Sequence, residues 1–173
     1  MEKEEKINLL IDGNGTIKEI VYGDMSLADM QKHVGGLIEY AVCEKTEGFP
    51  VPPSAVGASR GKGDAVLCEV IDVIVNEEGL LRGMPPNVIS TFAAYGEGLD
   101  SNRMLVGPSI IIVKQPQHMD ALTWVGFDWI MDRTIPDEMR DLAEMMLKTA
   151  KEMSGIRDED GPITYARYGG DSL

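Results

Sequence analysis

An α+β fold is the architecture this sequence predicts, with a mixed or mainly antiparallel sheet, two short helices and one longer C-terminal helix. Three observations carry it. Apolar stretches of strand length are joined by tight Gly-containing turns, DGNG at 12–15 and NEEG at 76–79. Such links suit antiparallel neighbours, because a parallel crossover takes a dozen residues or more. Helical signals are confined to separate segments near 26–34, 88–95 and 135–153, so helices do not alternate with strands one by one.

The first pair of strands is INLLI (7–11) and TIKEIVY (16–22). Asp and Asn beside Gly supply the positive φ that the hairpin turn needs. Alternation in the second stretch places Ile17, Glu19 and Val21 on one face and Lys18, Ile20 and Tyr22 on the other. Ser26 then opens a helix. Its hydroxyl caps the first turn, and Asp29 complements the positive N-terminal end. Leu27, Met30 and Val34 share one apolar face, and Gly35 or Gly36 takes the left-handed conformation that stops the helix. The next strand is LIEYAV, 37–42.

Residues 44–65 hold three prolines, four glycines and no periodicity, which predicts a long loop. VLCEVIDVIV (66–75) reads as one strong strand, rich in β-branched residues. After the NEEG turn, 80–87 continues as a short strand running into a proline-stiffened bend. Residues 88–96 read as a helix with Asn87 as its cap and Gly96 as its stop. RMLVGPSIIIV (103–113) is a strand broken at Gly107 and Pro108, with Ile110 to Val113 as its better-paired half. An exposed edge at 108–113 would favour homo-oligomers. The long helix spans about 135–153. Thr134 caps it, Pro136 lies in its first turn, and Ile135, Met139, Leu142, Met146, Ala150 and Met153 form one stripe. The reading is a single domain over 1–155, with a tail over 156–173.

The longest apolar run, Pro108 to Val113, is far shorter than the roughly 20 residues of a membrane span. The N-terminus MEKEEK has no apolar region of a secretory signal. These features point to the cytoplasm and away from membranes. With 16 basic and 29 acidic residues the formal net charge is −13. Such a field repels phosphates, so direct nucleic-acid binding is not expected. The acids are scattered without regular spacing, which disfavours mimicry of DNA. Cys43 and Cys68 form no CxxC, and His33 and His118 form no HxxxH or HExxH. No metal or cofactor site is expected from these spacings.

Few motifs carry chemistry. GASRGKGD (57–64) fails as a nucleotide-binding Walker A loop. Only three residues separate Gly57 from Gly61, and Gly63 stands where a Mg²⁺-holding Ser or Thr would follow Lys62. Asp12, Asp24 and Asp29 invite a paired-carboxylate reading, but no nucleophile with an adjacent base accompanies them. NEEGLLRGMPPN (76–87) is the segment of most interest. Gly79, Gly83 and the two prolines restrict its backbone, and Asn76 and Asn87 can fix the bend. It reads either as a rigid structural hairpin or as a preorganised rim presenting Asn76, Arg82 and Asn87 to a ligand. For an anionic ligand, Arg60, Lys62, Arg82, Arg103 and Lys114 are the candidate cations. At least two of them are then expected to converge on one cleft or one subunit interface.

Two segments together resemble a family of small proteins from phages, plasmids and their bacterial hosts, catalogued as a domain of unknown function. They are LADMQKHVGGLIEYA (27–41) and VNEEGLLRGMPPN (75–87), the latter followed by LVGPSIIIV (105–113). The resemblance covers roughly 7–113. The 44–65 stretch looks longer than is usual for the family, and the C-terminal helix looks like an addition. The resemblance implies a mobile-element origin and action in the host cytoplasm, and it carries over no catalytic residues.

The expected function is therefore that of an accessory protein, more plausibly a binder than an enzyme. It would bind a host protein or a small signalling nucleotide and modulate host physiology or defence. Two other readings stand beside it: a virion or assembly component, and an enzyme with an unrecognised carboxylate site near the hairpin and the NEEG turn.

Overall fold

The computed structural model describes residues 6–13, 15–41, 48–59, 64–96 and 104–126, together with Asp141, Glu144 and Met145. Those three apart, the helix expected over 135–153 lies outside the described residues, as does the tail at 156–173.

Strands β1 (Lys6–Ile11) and β2 (Ile17–Tyr22) form the expected hairpin. Its turn is closed by Gly15 N–H donating to Asp12 O at 2.9 Å. Helix α1 (Leu27–Val34) starts where Ser26 Oγ accepts the Asp29 N–H at 3.1 Å. It stops at Gly35, which takes the left-handed conformation at φ +86°. Strand β3 (Ile38–Ala41) follows directly. Further on come β4 (Phe49–Val51), a 3₁₀ turn at Pro53–Val56, β5 (Asp64–Cys68) and β6 (Val70–Asn76). Helix α2 (Val88–Tyr95), β7 (Ser109–Lys114), a 3₁₀ turn at Met119–Ala121 and β8 (Trp124–Gly126) complete the described elements.

Two sheets result. The larger has the order β2-β1-β7-β6-β3 and the smaller β4-β5-β8. Every pairing among the described strands is antiparallel, so the fold is α+β with antiparallel sheets and, among the described elements, two helices. The side-chain period of two sorts the larger sheet into two apolar faces. Ile7, Leu9, Ile11, Val73, Val75, Ile111 and Val113 pack with α2 residues Val88, Ile89 and Phe92 and with the smaller sheet. Leu10, Ile74, Ile110 and Ile112 pack against Val34 of α1 on the opposite face. The central strands are buried on both faces, which is why INLLI and SIIIV are continuous apolar runs rather than alternating ones. Burying a side chain such as Phe92, 2 % exposed, stabilises the fold by roughly 2–3 kcal/mol.

Several expectations need correction. The stretch at 44–65 is not a structureless loop where it is described. Phe49 and Val51 are core residues of β4, and Pro53, Ala55 and Val56 are buried in the 3₁₀ turn. Prolines obscured this, but Pro50 sits on an edge strand, where a missing N–H breaks no ladder. The run 66–75 is not one strand. It breaks at Glu69, so that β5 belongs to the smaller sheet and β6 to the larger. The Glu69 carbonyl accepts the Lys114 N–H at 2.9 Å, and the β6–β7 register slips between Val70 and Asp72. Strands that change sheets commonly do so at such an irregularity. Residues 77–83 form turns rather than a returning strand, and Pro86 makes an isolated bridge to Val106. Strand β7 is central, not an exposed edge, since β1 and β6 flank it. The alternation assigned to β2 also fails at one point. Leu10 pairs with Glu19 but Ile11 pairs with Ile17, so Lys18 is an extra residue in a bulge.

No helix among the described residues is long and apolar enough to cross a membrane.

Candidate functional site

The segment from Asn76 to Asn87 leaves the end of β6, projects into solvent and returns under α2 as its cap. Its backbone is closed on itself at successive steps. Gly79 N–H donates to Asn76 O at 3.1 Å, Arg82 N–H to Glu78 O at 2.9 Å, Gly83 N–H to Leu80 O at 3.1 Å and Met84 N–H to Gly79 O at 3.0 Å. A Cβ on Gly79 would stand 2.8 Å from Val106 Cγ2, so the close approach of the turn to the 104–108 segment requires glycine there.

Side chains then bolt this turn to the rest of the fold. Asn76 is 4 % exposed. Its amide donates to Val34 O at 3.0 Å, and its Oδ1 accepts the Glu78 N–H at 2.7 Å. Arg82 Nη1 donates to Gly35 O at 2.9 Å. Both groups thereby satisfy carbonyls at the C-terminal end of α1, which that helix leaves without partners of its own. At the other end of the segment, Asn87 Oδ1 accepts the Ser90 N–H at 3.1 Å as the α2 cap. Its Nδ2 donates to Gly107 O at 3.0 Å and Asp12 O at 3.2 Å. Asn76, Arg82 and Asn87 thus share one segment, as expected, and each has protein carbonyls as partners.

Of the remaining candidate cations only Lys114 is described, and it is not brought together with them. Arg60, Lys62 and Arg103 lie outside the described residues. Lys114 sits at the far end of β7 from Ser109, the residue that pairs with Val75 next to the turn. Arg82 and Lys114 are therefore separated by the length of a strand.

What this bracing holds out is apolar. Leu80 is 77 % and Leu81 88 % exposed. Leu37, 57 % exposed, is held beside the turn through its carbonyl, which accepts the Glu77 N–H at 2.9 Å. The exposed carboxylates of Glu77 and Glu78 flank the leucines. Next along the same side runs β3, the last strand of the larger sheet, with Glu39 and Tyr40 exposed. Sequence reasoning singled out the segment and its polar residues but passed over Leu80 and Leu81. Two adjacent leucines between Gly79 and Gly83, within four residues of two glutamates, were the available signal.

A cleft lies between α1 and the β2 edge of the larger sheet. Its volume is about 350 Å³, and it is lined by Leu10, Lys18, Glu19, Val21, Met25, Asp29, Lys32 and His33. Among these, Asp29 and His33 are weighed for chemistry in the sequence, and nothing there joins them to one another or to the second strand. His33 Nε2 lies 3.0 Å from both Ile11 O and Ser109 O. Two carbonyl acceptors on one nitrogen require that Nε2 carry the proton.

Among the described residues, no group of three or more His, Cys, Asp or Glu is placed to hold a metal ion. Burial pushes the Cys68 thiol up to about 12 and raises the Tyr22 hydroxyl above its ordinary value. Tyr22 donates to Ala55 O at 2.9 Å, so both groups serve packing between the sheets. Compared with known proteins, the chain matches no family model, no curated protein and no solved structure.

Proposed function

We propose that this chain is a recognition protein that docks on a partner protein through the turn at 77–83 and the adjoining edge of β3. The observation that carries the reading is the exposure of Leu80 and Leu81 on a turn anchored by Asn76, Arg82 and Asn87. Exposed leucines scattered singly need no explanation. Two neighbours held out by a braced backbone lose little conformational entropy on binding, which favours affinity.

The partner in this reading presents a segment with apolar and basic side chains. Glu77 and Glu78 precede the turn's leucines, Glu39 is exposed on β3, and the chain as a whole carries −13. A second copy would bring like charges together, whereas a basic segment is steered in. Among the described strands β3 ends the larger sheet, and its Glu39 and Tyr40 are exposed to such a segment. The resemblance of 27–41 and 75–87 to phage- and plasmid-borne proteins supports a mobile-element accessory role in the host cytoplasm. The partner is then a host protein. The C-terminal helix over 135–153 belongs to this proposal as an added element.

The test places a photo-crosslinking residue at position 81 in the cell, with Leu80→Ser as a control for the apolar contact. The expected result is one cross-linked partner whose mapped segment is apolar and basic, reduced by Leu80→Ser and by salt. Cross-linking only to other copies of the chain, or a pattern indifferent to Leu80→Ser, overturns the proposal.

A further inference from the structure

We infer that the cleft between α1 and β2 is a binding site for a small zwitterion with an aliphatic body, of the size of an apolar α-amino acid or dipeptide. The first support is the placement of charge. Lys18 and Glu19 stand on the strand wall, and Asp29, Lys32 and His33 on the helix wall. The helical spacing of 29, 32 and 33 puts the latter three on one face of α1. The one ion pair among the described residues joins Lys6 to Asp24 at 3.4 Å. Two cations and two carboxylates therefore line one cleft without pairing.

The second support is the bulge at Lys18. In a regular strand Lys18 and Glu19 would point to opposite faces. The jump in register from Leu10↔Glu19 to Ile11↔Ile17 leaves Lys18 unpaired, and Lys18 and Glu19 line the same cleft. Bulges recur beside functional sites because they re-aim a side chain in this way.

The third support is preorganisation. The His33 ring is pinned by Ile11 O and Ser109 O, where β1 and β7 pair. With Nε2 protonated, Nδ1 of the neutral ring is an acceptor. Leu10, Val21 and Met25 supply the apolar part of the lining.

Ligand chemistry follows from complementarity. A simple anion meets Glu19 and Asp29 as well as the lysines, and a simple cation meets the reverse. A molecule with an ammonium and a carboxylate around an aliphatic body can satisfy both charge types and the apolar surface together. A cavity of about 350 Å³ lies at the small end of ligand pockets.

The experiment titrates the full chain by calorimetry and by amide NMR with L-leucine and L-leucyl-L-leucine. L-leucinamide and N-acetyl-L-leucine serve as probes with one charge blocked. At least one zwitterion should bind and shift the amide signals of 18–21 and 29–33, and each blocked probe should bind roughly tenfold or more weakly. Lys18→Met and Asp29→Asn should each weaken binding to a similar degree, with thermal unfolding confirming that both variants fold. Absence of binding to both zwitterions at about 10 mM, where a millimolar site would be mostly filled, overturns the inference. Equal binding of the blocked probes, or indifference to both substitutions, overturns it as well.

Discussion

Arg82 Nη1 donates to the carbonyl oxygen of Gly35 at 2.9 Å, tying the leucine-tipped turn to the end of α1. The contact joins residues far apart in sequence, and a single exposed side chain makes it. The cation also sits where the helix dipole is negative. Arg82→Ala should destabilise the fold by about 0.5–1 kcal/mol, measured by urea unfolding. Hydrogen exchange at Gly83 and Met84, whose N–H groups close the turn, should rise in the same variant. A turn that stays equally protected without Arg82 would show that its backbone bonds suffice.

Asn87 is fully buried and serves two helical and strand neighbourhoods at once. Asn87→Ala removes the α2 cap and leaves the Gly107 carbonyl without this donor. The expected loss is about 2–4 kcal/mol. Asn87→Ser keeps an oxygen for the cap but not the amide donors, so it should fall between the parent and Asn87→Ala. Chemical denaturation of the three proteins orders them. Equal losses for Ser and Ala would mean that the cap contributes nothing.

Leu80→Ser and Leu81→Ser touch side chains that are mostly in water, so stability should stay within about 0.5 kcal/mol of the parent. Partner binding should drop by roughly 2 kcal/mol if the pair forms the centre of the interface. Surface plasmon resonance with the cross-linked partner measures the second effect and thermal unfolding the first. A large stability loss would instead assign the leucines to packing.

Alkaline pH should weaken the fold through one buried and one half-buried acid, Cys68 and Tyr22. The Cys68 thiol is pushed from its ordinary 9.0 to about 12, and the Tyr22 hydroxyl is also raised, both by burial. Above pH 9 the unfolded chain releases the Cys68 proton while the folded chain keeps it. The unfolded state then binds fewer protons, and stability falls as pH rises toward 12, by up to roughly 1.4 kcal/mol per unit for the thiol. Below pH 9 this contribution is flat. Urea midpoints measured across pH 8–11 should decline less steeply for Cys68→Ala than for the parent. Parallel curves would exclude the thiol as a source.

Much of the local structure was legible in the residues alone. Ser26, Gly35, Asn87 and Gly96 mark helix ends through the chemistry of their own side chains or backbone, and they do so here. The DGNG hairpin and the break at Gly107–Pro108 are read the same way. The missed features each depend on a distant partner. Phe49–Val51 becomes a strand only because β5 lies beside it, and Lys18 becomes a bulge only against the register of β1. Leu80 and Leu81 look like any apolar pair until the turn beneath them leaves no neighbour to cover them.

The sequence by itself determined where α1 and α2 begin and end, which turns are tight, and that the chain is acidic and α+β. These follow from propensities acting over a few residues. Only the tertiary structure decided that one apolar run feeds two sheets, that β7 is central, and which side chains face water or one another. Such outcomes depend on contacts between residues tens of positions apart, and no local preference encodes them.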